Sequence, residues 1–272
     1  MDWLQIFILG FVSGLTEFLP VSAAGHQRLM MHLFGRTEMD PLCRLIITVG
    51  TLSAVIMACS GQLRRLMVQR RIRHRHSAKS RAYENHRYDY RIIKTAAIPV
   101  GITYAIVTLL RIPMPLVWLS LAFIVNGVIL FIIGNMRQGN KDSRRMTQLD
   151  TLFIGAFGCL SVIPGISLVG TVTSAGIVRG ADRQNALSWA ILCTIPLLIL
   201  RMVLDLILVI LSGTAMTALG ILFCIGGAVL AHIGGLISIR FVRFAVSRSG
   251  LADFSYYAWG VAILIFILFL IT

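Results

Sequence analysis

The residues FLPVSAAGH, Phe18–His26, interrupt an apolar stretch that extends over residues 1–35. A second interruption, VIPGISLVGT at Val162–Thr171, lies inside the apolar stretch 152–180. Proline removes a backbone donor and clashes with the preceding helical turn, so neither stretch is expected to form one continuous helix. The two parts of each stretch are too short to cross a hydrocarbon core, which needs about 20 residues. We therefore predict two re-entrant helix-break-helix hairpins, which enter and leave a membrane on the same face.

The composition of the whole chain agrees with a membrane protein. Apolar residues make up 57% of the 272 residues and charged residues 13%, and the mean hydropathy is +0.84. A soluble chain needs about 25% charged residues to cover its surface. We predict an all-α polytopic membrane protein with a single membrane domain, 1–272. Its six transmembrane helices are expected approximately at 42–61, 92–110, 112–134, 185–211, 215–239 and 254–271.

The basic residues are concentrated in the connections between these segments. The net charge is +14, and 11 of the 25 Lys and Arg residues lie between Gly61 and Lys94. In a soluble protein this excess would suggest nucleic acid, but its placement is typical of a cytoplasmic loop, and no nucleic-acid partner is expected. The Arg-rich loop 62–91 and the connections 135–150 and 240–253 then share one side. With two re-entrant hairpins, both termini are expected outside.

The two interrupted stretches also resemble each other. Small residues and a proline of the first recur 144 or 145 positions later in the second. The pairs are Gly14 and Gly158, Pro20 and Pro164, Ser22 and Ser167, Gly25 and Gly170, and Gly35 and Gly180. The hairpins enter from opposite sides, so we predict an inverted-topology repeat with halves 1–134 and 151–272. In such folds the two breaks meet near the midplane and form the site.

Two residues of the first break are candidates for chemistry. Glu17 lies three residues before Pro20, and an intramembrane carboxylate is costly unless it has a function or a structural partner. His26 ends the break, and a single histidine is often an ordinary core residue. Next to a broken helix and a carboxylate, however, it could form an acid–base pair with Glu17. If a metal binds, Glu17 is the candidate ligand.

Hydroxyl and glycine residues at the breaks are candidates for binding phosphate. They are Ser22, Gly25, Ser167, Gly170 and Thr171. Free N–H groups at a helix start favour anions, although such residues are equally ordinary in membrane-helix packing. Arg201 and Asp205, four residues apart on one helix face, are expected to neutralise each other as a structural pair, or to contact lipid headgroups.

Both motifs resemble the signatures of the bacterial undecaprenyl pyrophosphate phosphatase family. GLTEFLPVSAAGH, Gly14–His26, is similar to its EGLTEFLPVSSTGH, and Pro164–Arg183 is similar to its PGxSRSG with the helix that follows. The similarity covers nearly the whole chain. It implies interleaved inverted repeats and a site on the outer side of the bacterial cytoplasmic membrane. It also implies cleavage of a C55 polyprenyl diphosphate to the monophosphate and phosphate, which recycles the carrier lipid for cell-wall synthesis and underlies bacitracin resistance.

Several positions depart from the family pattern. The first glutamate of the family is Ser13 here, and Ala23 and Ala24 replace the second serine, a candidate nucleophile, and the residue after it. The arginine of PGxSRSG, which would hold phosphate, is Leu168, and the next serine is Val169. Phosphoryl transfer needs positive charge near the equatorial oxygens.

Three arginines near the hairpin ends could supply that charge from new positions. Arg28, Arg44 and Arg179 are the candidates, and Arg44 itself stands where the family commonly has an acid. The alternative is that they extend towards a membrane interface and interact with water there.

Two functions remain open from the sequence. The first is a polyprenyl diphosphate phosphatase in which Glu17 and His26 act as acid and base or with a divalent cation such as Mg²⁺ or Ca²⁺, and His26 or Ser22 is the nucleophile. The alternative is a catalytically impaired binder or transporter of polyprenyl phosphate on the same scaffold, because the motif arginine is missing. Both have the polyprenyl lipid and the surrounding membrane lipids as partners. A purely structural role does not explain why Glu17 and His26 are retained.

Overall fold

The computed structural model describes residues 1–72, 81–110, 114–137, 139–213, 216–248 and 250–271. Within these ranges the chain forms eleven α-helices and one 3₁₀ turn, with an isolated β-bridge and no strand. The helices are α1 Trp3–Glu17, α2 Ala23–Leu33, α3 Pro41–Ala58, α4 Ser60–Ile72, α5 Arg81–Leu110, α6 Leu116–Gly134, α7 Gln148–Gly158, α8 Leu168–Val178, α9 Arg183–Ser212, α10 Ala218–Arg248 and α11 Asp253–Ile271. The predicted all-α class is confirmed.

Six helices are long and apolar enough to cross a membrane: α3, the part of α5 from Asp89, α6, α9, α10 and α11. They match the six predicted segments, and large apolar side chains such as Leu109 and Leu211 are 74% and 77% exposed on them. A surface of this kind is stable only in a lipid environment. The protein is therefore a multi-pass membrane protein.

The predicted polar connections are shorter than the sequence indicated. Helix α10 continues to Arg248, so most of the connection 240–253 is helical, and α4 and α5 take up most of 62–91. Polar residues do not end a helix by themselves, since Arg and Lys are good helix formers. Part of the Arg-rich loop, residues 73–80, lies outside the described residues.

Both predicted interruptions occur where the prolines indicated. Helix α1 ends at Glu17 and α2 begins at Ala23, while α7 and the 3₁₀ turn Cys159–Val162 are separated from α8 by the second break. The second hairpin begins four residues earlier than predicted, because the Thr147 hydroxyl caps α7 by accepting the N–H of Asp150 at 3.1 Å. The face by which each hairpin enters the membrane stays a prediction.

The first helix of each hairpin packs on a long helix from the other half of the chain. Helix α1 packs on α10, and α7 packs on α5. The contact of α1 with α10 needs glycine: a Cβ atom at Gly14 would lie 2.0 Å from the carbonyl oxygen of Ala231. The two pairs correspond when the proposed halves are exchanged, as an inverted repeat requires, and the division into halves stays a prediction.

The second hairpin occupies the centre of the molecule. Every residue of α8 from Val169 to Ile177 is buried, and α8 packs on α9, α7 and α6. The start of α8 is therefore fixed by its neighbours, as is the break that precedes it.

Candidate active site

The first break turns at Ser22. Its φ of 68° is the one positive φ of a non-glycine residue within the described ranges. The Ser22 hydroxyl caps α2 by accepting the Gly25 N–H at 3.3 Å. It also accepts the N–H of Gly165, from the second break, at 3.0 Å. An unfavourable backbone conformation persists only where the surroundings hold it, and here both breaks hold the same oxygen.

The second break is capped by Ser167. Its hydroxyl accepts the Gly170 N–H at 3.1 Å and donates to the carbonyl oxygen of Leu19, in the first break, at 3.1 Å. The hydroxyl of Thr171 donates to the carbonyls of Ser167 and Leu168 in the same helix. Thr171 is fully buried, so its hydroxyl is already bonded inside α8.

A buried amide side chain joins the two breaks. Asn126, on α6, donates to the Pro20 carbonyl at 3.0 Å and accepts the Ser167 N–H at 2.9 Å. The sequence reasoning did not identify Asn126, although an asparagine inside an otherwise apolar span is a visible signal. The two breaks thus lie in contact, as predicted, whereas their position near the membrane midplane stays a prediction.

His26 is held at both ring nitrogens. Nδ1 lies 2.8 Å from the Ser22 carbonyl oxygen, and Nε2 lies 2.8 Å from the Tyr257 hydroxyl of α11. A carbonyl only accepts, so the hydrogen-bond network assigns the proton of the neutral ring to Nδ1 and a lone pair to Nε2. The ring also stacks on Tyr257 and meets Phe123 edge-on. His26 is 5% exposed and Tyr257 is 49% exposed. The tyrosine therefore covers the lone pair on Nε2 of the histidine.

The carboxylate of Glu17 faces the guanidinium of Arg201, which the sequence analysis expected to pair with Asp205. Nη1 of Arg201, on α9, lies 3.8 Å from Glu17 Oε2, and the two side chains are 13% and 12% exposed. Nη2 of Arg201 donates to Gln27 Oε1 at 2.5 Å. Gln27 in turn donates to the Ser13 hydroxyl at 3.0 Å. This chain of contacts links α9 to the end of α1 and to α2.

The expected pairing of Arg201 with Asp205 is wrong. Asp205 binds Arg44 of α3 instead, with Nη2 and Nε of Arg44 at 2.6 and 2.8 Å from Asp205 Oδ1. Arg44 is therefore neutralised by a partner away from Glu17. Arg28 is an exposed residue of α2. Neither arginine contacts Glu17 or His26 within the described part of the chain.

Arg179 joins the two ends of the second hairpin by an ion pair. It follows α8 and binds Asp150 at the start of α7 at 2.5 Å, and Lys141 lies 3.6 Å from the same carboxylate. Burial opposes ionisation of Asp150, but hydrogen bonds from Thr147 and Arg179 outweigh it and lower the pKa of this carboxyl group below its ordinary value. Arg179 is thus a structural cation in this geometry.

Four of the replaced family positions share one structural feature. Ala23 and Ala24 are the first two residues of α2, and Leu168 and Val169 are the first two of α8. The N–H groups at these positions have no partner inside their own helix. The replacements therefore remove polar side chains, while the backbone N–H donors at the starts of α2 and α8 remain. Ser13, the fifth position, binds Gln27.

The residues around Glu17 do not fit a protein-held divalent metal. Within the described residues there is no group of three or more His, Cys, Asp or Glu side chains that could hold one. The neighbour of Glu17 is Arg201, at 3.8 Å, which would repel a cation. The expectation of a divalent cation such as Mg²⁺ or Ca²⁺, with Glu17 as its candidate ligand, stays a prediction.

The chain matches known proteins over nearly its whole length. Residues 6–264 match the sequence model of the bacitracin resistance protein BacA. Undecaprenyl-diphosphatase 1 of Shouchella clausii is 30% identical over 275 residues, covering 98% of this chain and 96% of the relative. The undecaprenyl-diphosphatase of Carboxydothermus hydrogenoformans is 28% identical and covers 97% of each chain, and undecaprenyl-diphosphatase 3 of Bacillus cereus is 27% identical and covers 98% of each.

Proposed function

Because the chain belongs to the BacA family of bacitracin resistance proteins, we propose that it is an integral membrane phosphatase that cleaves a C55 polyprenyl diphosphate. The products are the polyprenyl monophosphate and inorganic phosphate, and the reaction returns the carrier lipid to cell-wall synthesis. The matches to the relatives named undecaprenyl-diphosphatase cover 96% or more of each relative and 97% or more of this chain, so the resemblance includes both breaks.

The observation that carries this proposal is the meeting of two helix starts. Helices α2 and α8 begin within hydrogen-bonding distance of each other's break, through Ser22 with Gly165 and Ser167 with Leu19. Each helix start carries partial positive charge and unpaired N–H groups, which favour an anion such as phosphate. Since these donors belong to the backbone, the site tolerates the alanine, leucine and valine side chains that replace the motif residues.

Of the two candidate nucleophiles, the geometry favours His26. The Ser22 oxygen already accepts two N–H groups, and His26 contacts the Ser22 carbonyl rather than its hydroxyl. No base therefore contacts the Ser22 hydroxyl in the described residues. His26 Nε2 carries a lone pair in the tautomer that the Ser22 carbonyl imposes.

The first chemical step is attack by His26 Nε2 on the terminal phosphorus. An N–P bond forms, the bond from phosphorus to the bridging oxygen breaks, and polyprenyl phosphate leaves with the electron pair. The imidazole keeps its Nδ1 proton, held by the Ser22 carbonyl. The Tyr257 hydroxyl must move away from Nε2 before attack, since the two atoms are 2.8 Å apart.

The second step releases phosphate. Water attacks the phosphorus, the N–P bond breaks, and Glu17 accepts the proton of the water. A positioned carboxylate or imidazole contributes about 10²- to 10⁴-fold in such a role. Glu17 is the carboxylate assigned to this step because it lies next to the first break and is 12% exposed.

Phosphate release from undecaprenyl diphosphate by the purified protein tests this function. We expect turnover by the natural chain and a loss of at least about 10³-fold in kcat for His26→Gln, since the nucleophile is removed. His32→Gln, in the same helix, is the matched control and should retain activity. A phosphoenzyme that is labile to acid and stable to base, and absent from His26→Gln, would identify the N–P bond.

Two results would contradict the proposal. Full activity of His26→Gln would remove the histidine from the chemistry. Tight binding of the lipid by the natural chain with no phosphate release would favour the alternative, a polyprenyl-phosphate binder or transporter.

The topology is part of the same proposal. We place the protein in the bacterial cytoplasmic membrane with both termini outside and the loop 62–91 inside, because that loop holds most of the clustered basic residues. The test uses a single cysteine at position 80, which lies outside the described residues, in a background without the five native cysteines. It should be protected from an impermeant maleimide in intact cells and labelled after lysis; labelling in intact cells would refute the orientation.

A further inference from the structure

We propose that Arg201 binds the diphosphate of the substrate and supplies the positive charge that Leu168 cannot provide. This inference deepens the proposed function and rests on it for the identity of the ligand. It differs from the sequence expectation, which assigned Arg28, Arg44 or Arg179 to this role and paired Arg201 with Asp205.

The ion pair of Arg201 is looser than those of two other candidate arginines. Arg44 and Arg179 each approach one carboxylate closely, at 2.6 and 2.5 Å. Arg201 lies 3.8 Å from Glu17, which is beyond hydrogen-bonding distance. Arg44 and Arg179 therefore donate directly to their carboxylates, whereas Arg201 makes no hydrogen bond to Glu17 and keeps most of its N–H donors for another anion.

The hydrogen-bond donors of Arg201 are only partly satisfied within the described residues. Nη2 binds the neutral Gln27, and Nε has no hydrogen-bond partner within the described part of the chain, although it is buried. An unsatisfied donor in a guanidinium that is only 13% exposed is costly. A phosphate oxygen would satisfy this donor and would balance the charge. Arginine is suited to this task because its planar donors match phosphate in a bidentate geometry.

Arg201 also lies next to the first break. Arg201 contacts Glu17, which ends α1, and Gln27, which follows His26 in α2. It therefore spans the first break from the side of α9. The start of α8, where the motif arginine would stand, carries Leu168, whose side chain packs against the apolar core. The break thus has a cation beside it, supplied by a different helix.

The contacts of Arg201 with its neighbours give Gln27 and Ser13 a role in holding the guanidinium. Gln27 is fixed by the Ser13 hydroxyl and holds Arg201 Nη2 without neutralising it. A glutamate at position 13, as in the family signature, would place a second carboxylate within this group of contacts. Ser13 therefore leaves the guanidinium charge available.

The experiment measures binding and turnover separately. The binding probe is farnesyl methylenediphosphonate, which is not hydrolysed, and its affinity is measured by calorimetry in detergent. Arg201→Gln should raise its Kd about 10- to 100-fold, the value of one or two charged hydrogen bonds. The same variant should lower kcat/KM for undecaprenyl diphosphate about 10²- to 10³-fold. Arg201→Lys keeps the charge without the planar donors. Its Kd and its kcat/KM should lie between those of the natural chain and those of Arg201→Gln.

Three further variants separate binding from folding. Arg179→Gln is the matched control, because it removes an arginine that is 40% exposed and paired with Asp150; its Kd for the probe should stay within about threefold. Glu17→Gln should bind the probe as tightly as the natural chain or more tightly, since a negative neighbour is removed. The double variant Glu17→Gln, Arg201→Gln leaves no buried unpaired charge and should fold while still binding weakly.

The outcomes distinguish this inference from the proposed function. If the natural chain turns over and Arg201→Gln matches it in both Kd and kcat/KM, the role of Arg201 is wrong and the phosphatase assignment stands. If no variant releases phosphate but probe binding depends on Arg201, the phosphatase assignment fails and Arg201 remains a phosphate-binding residue.

Discussion

Replacement of Asn126 by leucine tests the central feature of the fold, the contact between the two breaks. Asn126 is 1% exposed, and its amide group joins the Pro20 carbonyl at 3.0 Å to the Ser167 N–H at 2.9 Å. Leucine has a similar size and no polar atoms. The variant therefore leaves one backbone acceptor and one backbone donor without this partner, one in each break.

The expected loss of stability follows from these two bonds. Hydrogen bonds between membrane helices contribute about 0.6 kcal/mol on average and about 1.7 kcal/mol at most, because the unfolded chain in the membrane also finds partners. Two such bonds, together with two buried groups left unsatisfied, give a loss of about 2 kcal/mol. For a chain of this size the melting temperature should fall by roughly 4–8 °C.

The assay is thermal unfolding in dodecyl maltoside, followed by the retention of a monodisperse peak on size exclusion. Asn135→Leu is the control, since Asn135 is at the end of the same helix, is exposed, and its side-chain amide donates to the Phe131 carbonyl of its own helix. Equal melting temperatures for the Asn126→Leu variant and the natural chain would show that the breaks do not depend on this bridge. Phosphate release should also fall in the Asn126→Leu variant, because both helix starts shift.

Three other measurements follow from the structure. Tyr257→Phe keeps the ring stacked on His26 but removes the hydroxyl at Nε2, so probe binding should change little while kcat changes several-fold; an unchanged kcat and pH profile would show that the hydroxyl is irrelevant. Gly14→Val should prevent α1 from packing on α10, because its Cβ would lie 2.0 Å from the Ala231 carbonyl, whereas Gly260→Val, with nothing within 4 Å, should be tolerated; comparable yields of folded protein would refute the packing. EDTA should lower turnover without abolishing it, since Arg201 is proposed to supply positive charge to the diphosphate; complete loss that Mg²⁺ restores would show that a metal is essential.

The membrane spans and the two breaks were predictable because their causes are local. A run of about 20 apolar residues is sufficient for a span, and Pro20 and Pro164 interrupt helices whatever surrounds them. The ends of helices were less predictable. Helix α10 continues to Arg248, past the last apolar residues, because basic residues support a helix as well as a loop.

The partners of the charged residues were not predictable from spacing. Arg201 and Asp205 lie four residues apart, and this spacing contributes only about 0.2–0.5 kcal/mol. A buried charge needs several close donors or acceptors, so each residue pairs with a neighbouring helix instead: Asp205 with Arg44, 161 positions away, and Arg201 with Glu17 and Gln27. The same is true of Tyr257, which meets His26 from 231 positions away. Such contacts depend on how helices pack.

The missing motif arginine is better understood through these pairs than through the motif alone. The sequence resemblance implies an acid at the position of Arg44, and Arg44 binds Asp205 at 2.6 Å. Asp205 is thereby paired with Arg44, and its charge also acts on Arg201, its neighbour four residues away on α9. Arg201 is left beside Glu17 with an unsatisfied Nε donor. Under the proposed role of Arg201, the pairing of Arg44 with Asp205 leaves the Arg201 guanidinium to take over the task of the motif arginine that Leu168 replaces.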